Sequence, residues 1–176
     1  MLADPRHSRV VLVNLTRGET LGSAGVAARY PNLSLLRAGL ELFAVASIVV
    51  GEYQPFGTGA EITDSVTHFD ADVLSIWHDR RFTDALSSSD IGIILLGGSW
   101  LEEEITIVAL QGVKLGYDVR LLSDLVRARV EEDRSLAFAR LAAHGILATT
   151  VRQTLLEWAV CLDDALVKQR VQQLLS

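Results

Sequence analysis

The residues best placed to do chemistry stand in Gly97-Gly98-Ser99-Trp100-Leu101-Glu102-Glu103-Glu104, directly after the apolar run Ile91-Gly92-Ile93-Ile94-Leu95-Leu96. The order runs from a buried strand through a glycine turn into the first turn of a helix. Open α/β folds hold ligands and nucleophiles at that place. Here it offers carboxylates and backbone N–H groups and no thiol. The glycine turn can aim its N–H groups at an anion or oxyanion. Acidic residues in a helix's first turn are stabilised by the helix dipole by about 0.3–1 kcal/mol each, which accounts for Glu102 and Glu103 without any function. Glu104 in a pocket would suit a base or a hydrogen-bond acceptor. As a nucleophile it would need an activating cation, and none stands near it in the sequence.

Other polar residues fit chemistry less well. His68, Asp70, Asp72 and His78 are residue types that can ligate metals, and His68 and Asp70 could share one face of a strand, but no metal site is expected. Gly57-Thr58-Gly59 has no third glycine and does not directly follow a strand, so it is no dinucleotide fingerprint and no cofactor is expected. His144, just before Gly145, reads as a cation meeting a helix C-terminus. Cys161 falls on a C-terminal helical segment and reads as a packing residue rather than a nucleophile.

The elements that must position the turn follow from pattern. Val10 to Asn14, Val45 to Val50, Val66 to Phe69, Ile91 to Leu96, Val119 to Leu122 and Ile146 to Ala148 read as short strands. Between them, helices are expected from Leu33 to Phe43 behind an Asn32 cap, from Arg80 to Ser88, and from Glu102 to Leu115 with Gly116 as its stop. Further helices are expected from Glu131 to His144 and after Thr149 or Thr150. Gly39 weakens the first of these helices, and Thr16 to Tyr30, with Gly18, Gly22 and Gly25, reads as a loop or weak helix. Alternating strands and helices predict a three-layer α-β-α fold with a mostly parallel sheet. Asp163 to Leu175 carries Leu166, Val171, Leu174 and Leu175, a stripe suited to packing on a partner subunit.

Bulk properties narrow the partners. A chain of 176 residues, 49% hydrophobic but only 6% aromatic, suits one domain with an aliphatic core. Its mean hydropathy of +0.30 points to surface buried between copies, a homo-oligomer. No window approaches ~20 unbroken apolar residues, so no membrane span is expected. The start, Met1 to His7, carries charge where a signal peptide needs an apolar stretch, and one cysteine fits a reducing cytoplasm. A formal charge of −6 argues against nucleic acid. The densest basic stretch, Arg120, Arg127, Arg129 and Arg134, is broken by Glu131, Glu132 and Asp133 and reads as a solvated face.

Several stretches together resemble the isochorismatase-like cysteine hydrolases, the superfamily of nicotinamidases, N-carbamoylsarcosine amidases and isochorismatases. They are Ile91 to Gly98, Ile105 to Leu110, Leu115 to Val119 and Leu121-Leu122-Ser123-Asp124, with Val10 to Leu15 as the first strand and Trp77, Phe82 and Leu86 leading into the central one. The resemblance implies an isochorismatase-like, Rossmann-like fold and a cis peptide at Ser99–Trp100. It also implies an Asp-Lys-Cys triad, from which this chain departs. The aspartate place holds Asn14, the cysteine place holds Glu104, and the lysine place falls near Asp70 or Asp72, in a stretch from Thr58 to Asp79 with neither Lys nor Arg.

Glu104 and Asn14 are therefore the expected catalytic residues, with Gly98, Ser99, Trp100, Leu101 and Trp77 expected to line a small-molecule site. An amide cannot accept a proton at neutral pH, so Asn14 would position a substrate or share a hydrogen bond with Glu104. Two functions remain open: a diverged enzyme using non-cysteine proton-transfer chemistry, or a pseudoenzyme serving as an oligomeric binding or assembly partner.

Overall fold

The computed structural model describes residues 2–17, 30–53, 66–87 and 90–176. Six strands form one sheet: β1 (Ser8–Val13), β2 (Ser47–Val50), β3 (Val66–Phe69), β4 (Ile93–Ser99), β5 (Asp118–Arg127) and β6 (Leu147–Thr149). Their order is β3-β2-β1-β4-β5-β6, and every neighbouring pair is parallel. Crossovers between parallel strands place helices on both faces, so the central strands must be apolar on both sides. The runs Val10-Val11-Leu12-Val13 and Ile93-Ile94-Leu95-Leu96 meet that demand, and all eight residues are buried.

Alternate residues of those runs feed two cores. Val11, Val13, Ile94 and Leu96 face α2 (Arg80–Ser87), α3 (Thr106–Lys114) and α4 (Arg134–Ala143), meeting Phe82, Val108 and Leu141. Val10, Leu12 and Leu95 face α1 (Leu33–Phe43), α5 (Val151–Leu162) and α6 (Ala165–Leu175), meeting Leu36, Trp158 and Val171. This is the three-layer α-β-α arrangement the alternation of elements predicts.

Several local expectations change. Gly39 does not interrupt α1; a Cβ there would stand 2.2 Å from Leu155 Cδ2, so the glycine lets α5 approach. Asn32 precedes α1 without capping it, and its Nδ2 donates instead to Asp124 Oδ2 at 2.8 Å. Thr150 caps α5, its Oγ1 accepting from Gln153 N at 3.1 Å. The stripe expected to meet a partner lies on the chain itself: in α6, Val171 is buried and Val167, Leu174 and Leu175 pack on the same core, leaving Leu166 69% exposed.

The arginines from Arg120 to Arg134 form a solvated face only in part: Arg129 is exposed and Arg127 half-buried, while the other two are tied inward. Arg120 is buried between Asp118 and Glu157, and Arg134 donates to the carbonyls of Ser123 and Val126. Residues 18–29, with Gly18, Gly22 and Gly25, and residues 54–65, with Gly57-Thr58-Gly59, lie outside the described residues. Among the described residues no helix is long and apolar enough to cross a membrane.

Candidate functional site

The sheet's winding reverses between β1 and β4. Chain segments leaving the carboxyl ends of two such strands run to opposite faces and open a crevice, where doubly wound folds bind their ligands. Asn14 directly follows β1, and Gly98 and Ser99 end β4 beside it. Only glycine suits position 98: its φ is +120°, and a Cβ would fall 1.9 Å from the carbonyl oxygen of Val13. The Ser99–Trp100 peptide is cis, as the resemblance implies.

After that bond the chain does not enter an α-helix at once. Leu101–Ile105 forms a wider π-type turn, with Glu103 at φ −109° and ψ −111°, before α3 begins at Thr106. The turn distributes its side chains. Leu101 is fully buried in the core, Ser99 is buried with its hydroxyl 2.6 Å from that of Tyr30, and Glu104 is 8% exposed. Glu102 and Glu103 converge on Arg129: Glu102 Oε1 accepts the backbone N–H groups of Arg129 and Val130 at 2.5 and 3.0 Å, and Glu103 pairs with the Arg129 guanidinium at 2.8 Å. Both thus tie the segment after β5 to the turn, a more specific role than helix-dipole compensation.

Glu104 has a cation after all. Its Oε1 accepts from Arg17 Nη1, and Arg17 Nε lies 3.4 Å from Glu52 Oε1. The expected Asn14–Glu104 hydrogen bond is not formed. Asn14 sits in the left-handed region at φ 48°, its Oδ1 accepts the N–H of Glu52 at 2.8 Å, and its own carbonyl accepts the N–H of Arg17 at 3.1 Å. Asn14 therefore positions both residues that flank the ion pair. Arg17 and Glu52 were missed in the sequence because nothing local relates them to Glu104; the pairing spans 87 positions. The one available signal was that both stand just past strand ends.

The second oxygen of Glu104, Oε2, is buried and has no hydrogen-bond partner among the described residues. Buried carboxylate oxygens are seldom left so, because each lost hydrogen bond costs about 1–3 kcal/mol or more for a charged group. Glu104, Glu52 and Arg17 together carry one net negative charge. A ligand presenting an N–H or O–H donor would complete the set.

Other expected residues lie elsewhere. Trp77 is a core residue, not a lining one: its indole N–H donates to the Val108 carbonyl at 3.1 Å, its ring stacks on Tyr117, and Gly112 makes room for it. Asp70 is exposed just after β3, and Asp72 caps the following turn by accepting from Leu74 N and Ser75 Oγ. His68 Nε2 is 3.0 Å from the Gly51 carbonyl. Burial pushes the Tyr53 phenol above its usual range, and its ring lies 5.3 Å from that of His68. Trp100 is half-buried, with the guanidinium groups of Arg127 and Arg129 over its ring at 4.9 and 5.4 Å. A separate open cleft of about 190 Å³ lies between α3 and α4, lined by Glu102, Thr106, Asp133, Leu136, Ala137 and Arg140.

Comparison with known proteins supports the fold. No protein-family model matches the chain, and no curated protein sequence does. Among solved structures, the MAR1 ribonuclease from Caenorhabditis elegans is similar with a TM-score of 0.74 and 19% identity, over 99% of this chain and 92% of that one. The YcaC gene product from Escherichia coli, described as an octameric hydrolase of unknown specificity, is similar at 0.72 and 15%, over 99% and 90%. The nicotinamidase SaPncA from Staphylococcus aureus is similar at 0.65 and 12%, over 80% and 98%. Isochorismatase-family proteins from Desulfovibrio vulgaris and Burkholderia thailandensis match as well. The chain has the isochorismatase-like fold.

Proposed function

We propose that this chain binds a small molecule in the crevice between β1 and β4 and acts on it by proton transfer, with Glu104 as base or acceptor. The observation that carries this reading is the buried Oε2 of Glu104, which lacks a partner among the described residues while Oε1 of the same carboxylate is held by Arg17. Arg17 holds the carboxylate in place through Oε1, and an ionised, oriented carboxylate is what a general base requires. Asn14, in the place that the resemblance gives to an aspartate, orients rather than accepts protons. With no thiol at position 104, covalent amide hydrolysis through sulfur is outside this reading; lyase, isomerase or cyclisation chemistry fits a lone carboxylate better.

A second reading, a pseudoenzyme that serves as a binding or assembly partner, is favoured by one observation. Arg17 already occupies part of Glu104, and Ser99, Leu101 and Trp77 are turned into the interior. Either reading includes a homo-oligomer: Leu147 on β6 and Leu156 and Val160 on α5 are 47–56% exposed apolar side chains. A reducing cytoplasm, inferred from the single cysteine, belongs to the same proposal.

The test is turnover of a panel of amides, ureas, enol ethers and cyclic dienes, read by mass spectrometry, with Glu104→Gln alongside. Product lost in the variant supports the enzyme reading. Product that survives places the chemistry elsewhere, and no product with any compound favours the second reading.

A further inference from the structure

The C-terminal edge of the sheet carries a second polar group that the Glu104 network does not use. Arg127 is the last residue of β5 and the register partner of Ser99, which puts it beside the cis turn. Its guanidinium lies over the Trp100 ring at 4.9 Å. A guanidinium held on an aromatic face keeps its N–H fork in the plane free for hydrogen bonds, and the ring fixes its orientation in advance.

The neighbouring charges are otherwise accounted for. Arg129, over the same ring at 5.4 Å, is neutralised by Glu103 at 2.8 Å. Glu102 is committed through Oε1 to the backbone N–H groups of Arg129 and Val130, while its Oε2 is buried without a hydrogen-bond partner among the described residues. The next acid along, Asp124, accepts from Asn32 Nδ2 and from the N–H of Val151. Arg127 itself has neither a carboxylate nor a carbonyl partner among the described residues. It is half-buried, so its fork is not simply dissolved in water. An oriented, partly desolvated and unpaired guanidinium at a ligand-binding strand edge is matched by a planar or tetrahedral oxyanion.

We infer that Arg127, seated on Trp100, reads an anionic group of the ligand, a carboxylate or a phosphate ester, at the C-terminal edge of the sheet. This names the substrate class for the site proposed above and rests on that reading for where the remainder of the ligand lies. Trp100 is a positioning residue here, acting through the guanidinium.

The experiment is ligand-observed NMR titration of the full chain with benzoate, phenyl phosphate and neutral benzamide, in wild type, Arg127→Gln, Arg127→Lys and Glu104→Gln. The expected result is saturable binding of at least one anion, and weaker binding of benzamide. Arg127→Gln should weaken the anion roughly 10- to 100-fold, as loss of a charged hydrogen-bond partner does, and leave benzamide unchanged. Arg127→Lys should recover part of that loss, which controls for misfolding of the Gln variant. Preference for benzoate identifies a carboxylate, and preference for phenyl phosphate a phosphate ester; either supports the inference. Anion binding equal in wild type and Arg127→Gln, or no saturable anion binding at all, overturns it. Anion binding that survives Glu104→Gln while turnover is lost separates this inference from the role of Glu104, because each can fail alone.

Discussion

Replacing Arg17 and replacing Glu104 should have unequal effects, although the two side chains form one ion pair. The Glu104 side chain is 11% exposed and that of Arg17 is 32% exposed, so the pair stands between a surface bridge, worth up to about 1 kcal/mol, and a buried one, whose breaking costs about 3–5 kcal/mol. Arg17→Gln leaves a buried carboxylate with one oxygen already unpartnered and the other deprived of its cation. Its expected cost is about 1–3 kcal/mol. Glu104→Gln removes the buried charge and leaves a guanidinium that is one-third exposed and still 3.4 Å from Glu52. Its expected effect lies between neutral and about 1 kcal/mol stabilising. The double variant should resemble Glu104→Gln alone, giving a coupling energy as large as the Arg17→Gln cost, about 1–3 kcal/mol. Urea unfolding followed by tryptophan fluorescence reads all four proteins, since Trp158 and Trp77 are buried in the two cores. Equal losses for the two single variants that add in the double one would refute the reasoning, for they would mean that Glu104 is not an uncompensated buried charge.

Further expectations test the scaffold. Gly98→Ala forces a Cβ to within 1.9 Å of the Val13 carbonyl, a backbone atom, and should cost more than about 3 kcal/mol or abolish soluble expression, as a urea midpoint or yield would show. Asp4 is held near a pKa of about 2, well below its ordinary 3.8, chiefly by the Arg6 side chain. A depressed carboxyl contributes stability above the higher value and loses it as pH falls toward the lower. Asp4→Asn should therefore lose its disadvantage between pH 4 and 2, by under about 1 kcal/mol because Arg6 is 65% exposed. Burial, and then the charges of Asp4 and Glu157, push the Cys161 thiol upward, so iodoacetamide at pH 7.5 should label it more slowly in the native protein than in urea.

Much of the scaffold was legible because parallel strands must be apolar on both faces. The runs at Val10 and Ile91 could hardly serve elsewhere, and the glycine turn after the second could be placed at the crevice from residue types alone. Legibility failed where local pattern and tertiary demand part. β5 extends to Arg127, five residues past its expected end, because its register against β4 breaks between Leu96 and Gly98 and the half-buried Ser123 and Asp124 interrupt the apolar run. The helix expected from Glu102 opens instead as a π-type turn, which aims Glu102 and Glu103 at the segment after β5. Trp77 resembles a pocket residue in sequence, yet its packing is set by Gly112, a position 35 residues away that says nothing of it locally. Arg17 completes the site from another strand end, and no periodicity relates it to Glu104.

The measurement that bears most directly on the account is kcat/KM for the first panel compound converted, in wild type, Glu104→Gln and Arg17→Gln. If Glu104 moves the proton, its amide should lower kcat/KM by about 10²–10⁴-fold, and Arg17→Gln should do so by less, since it orients the base without replacing it. A Glu104→Gln value within twofold of wild type would contradict the central claim.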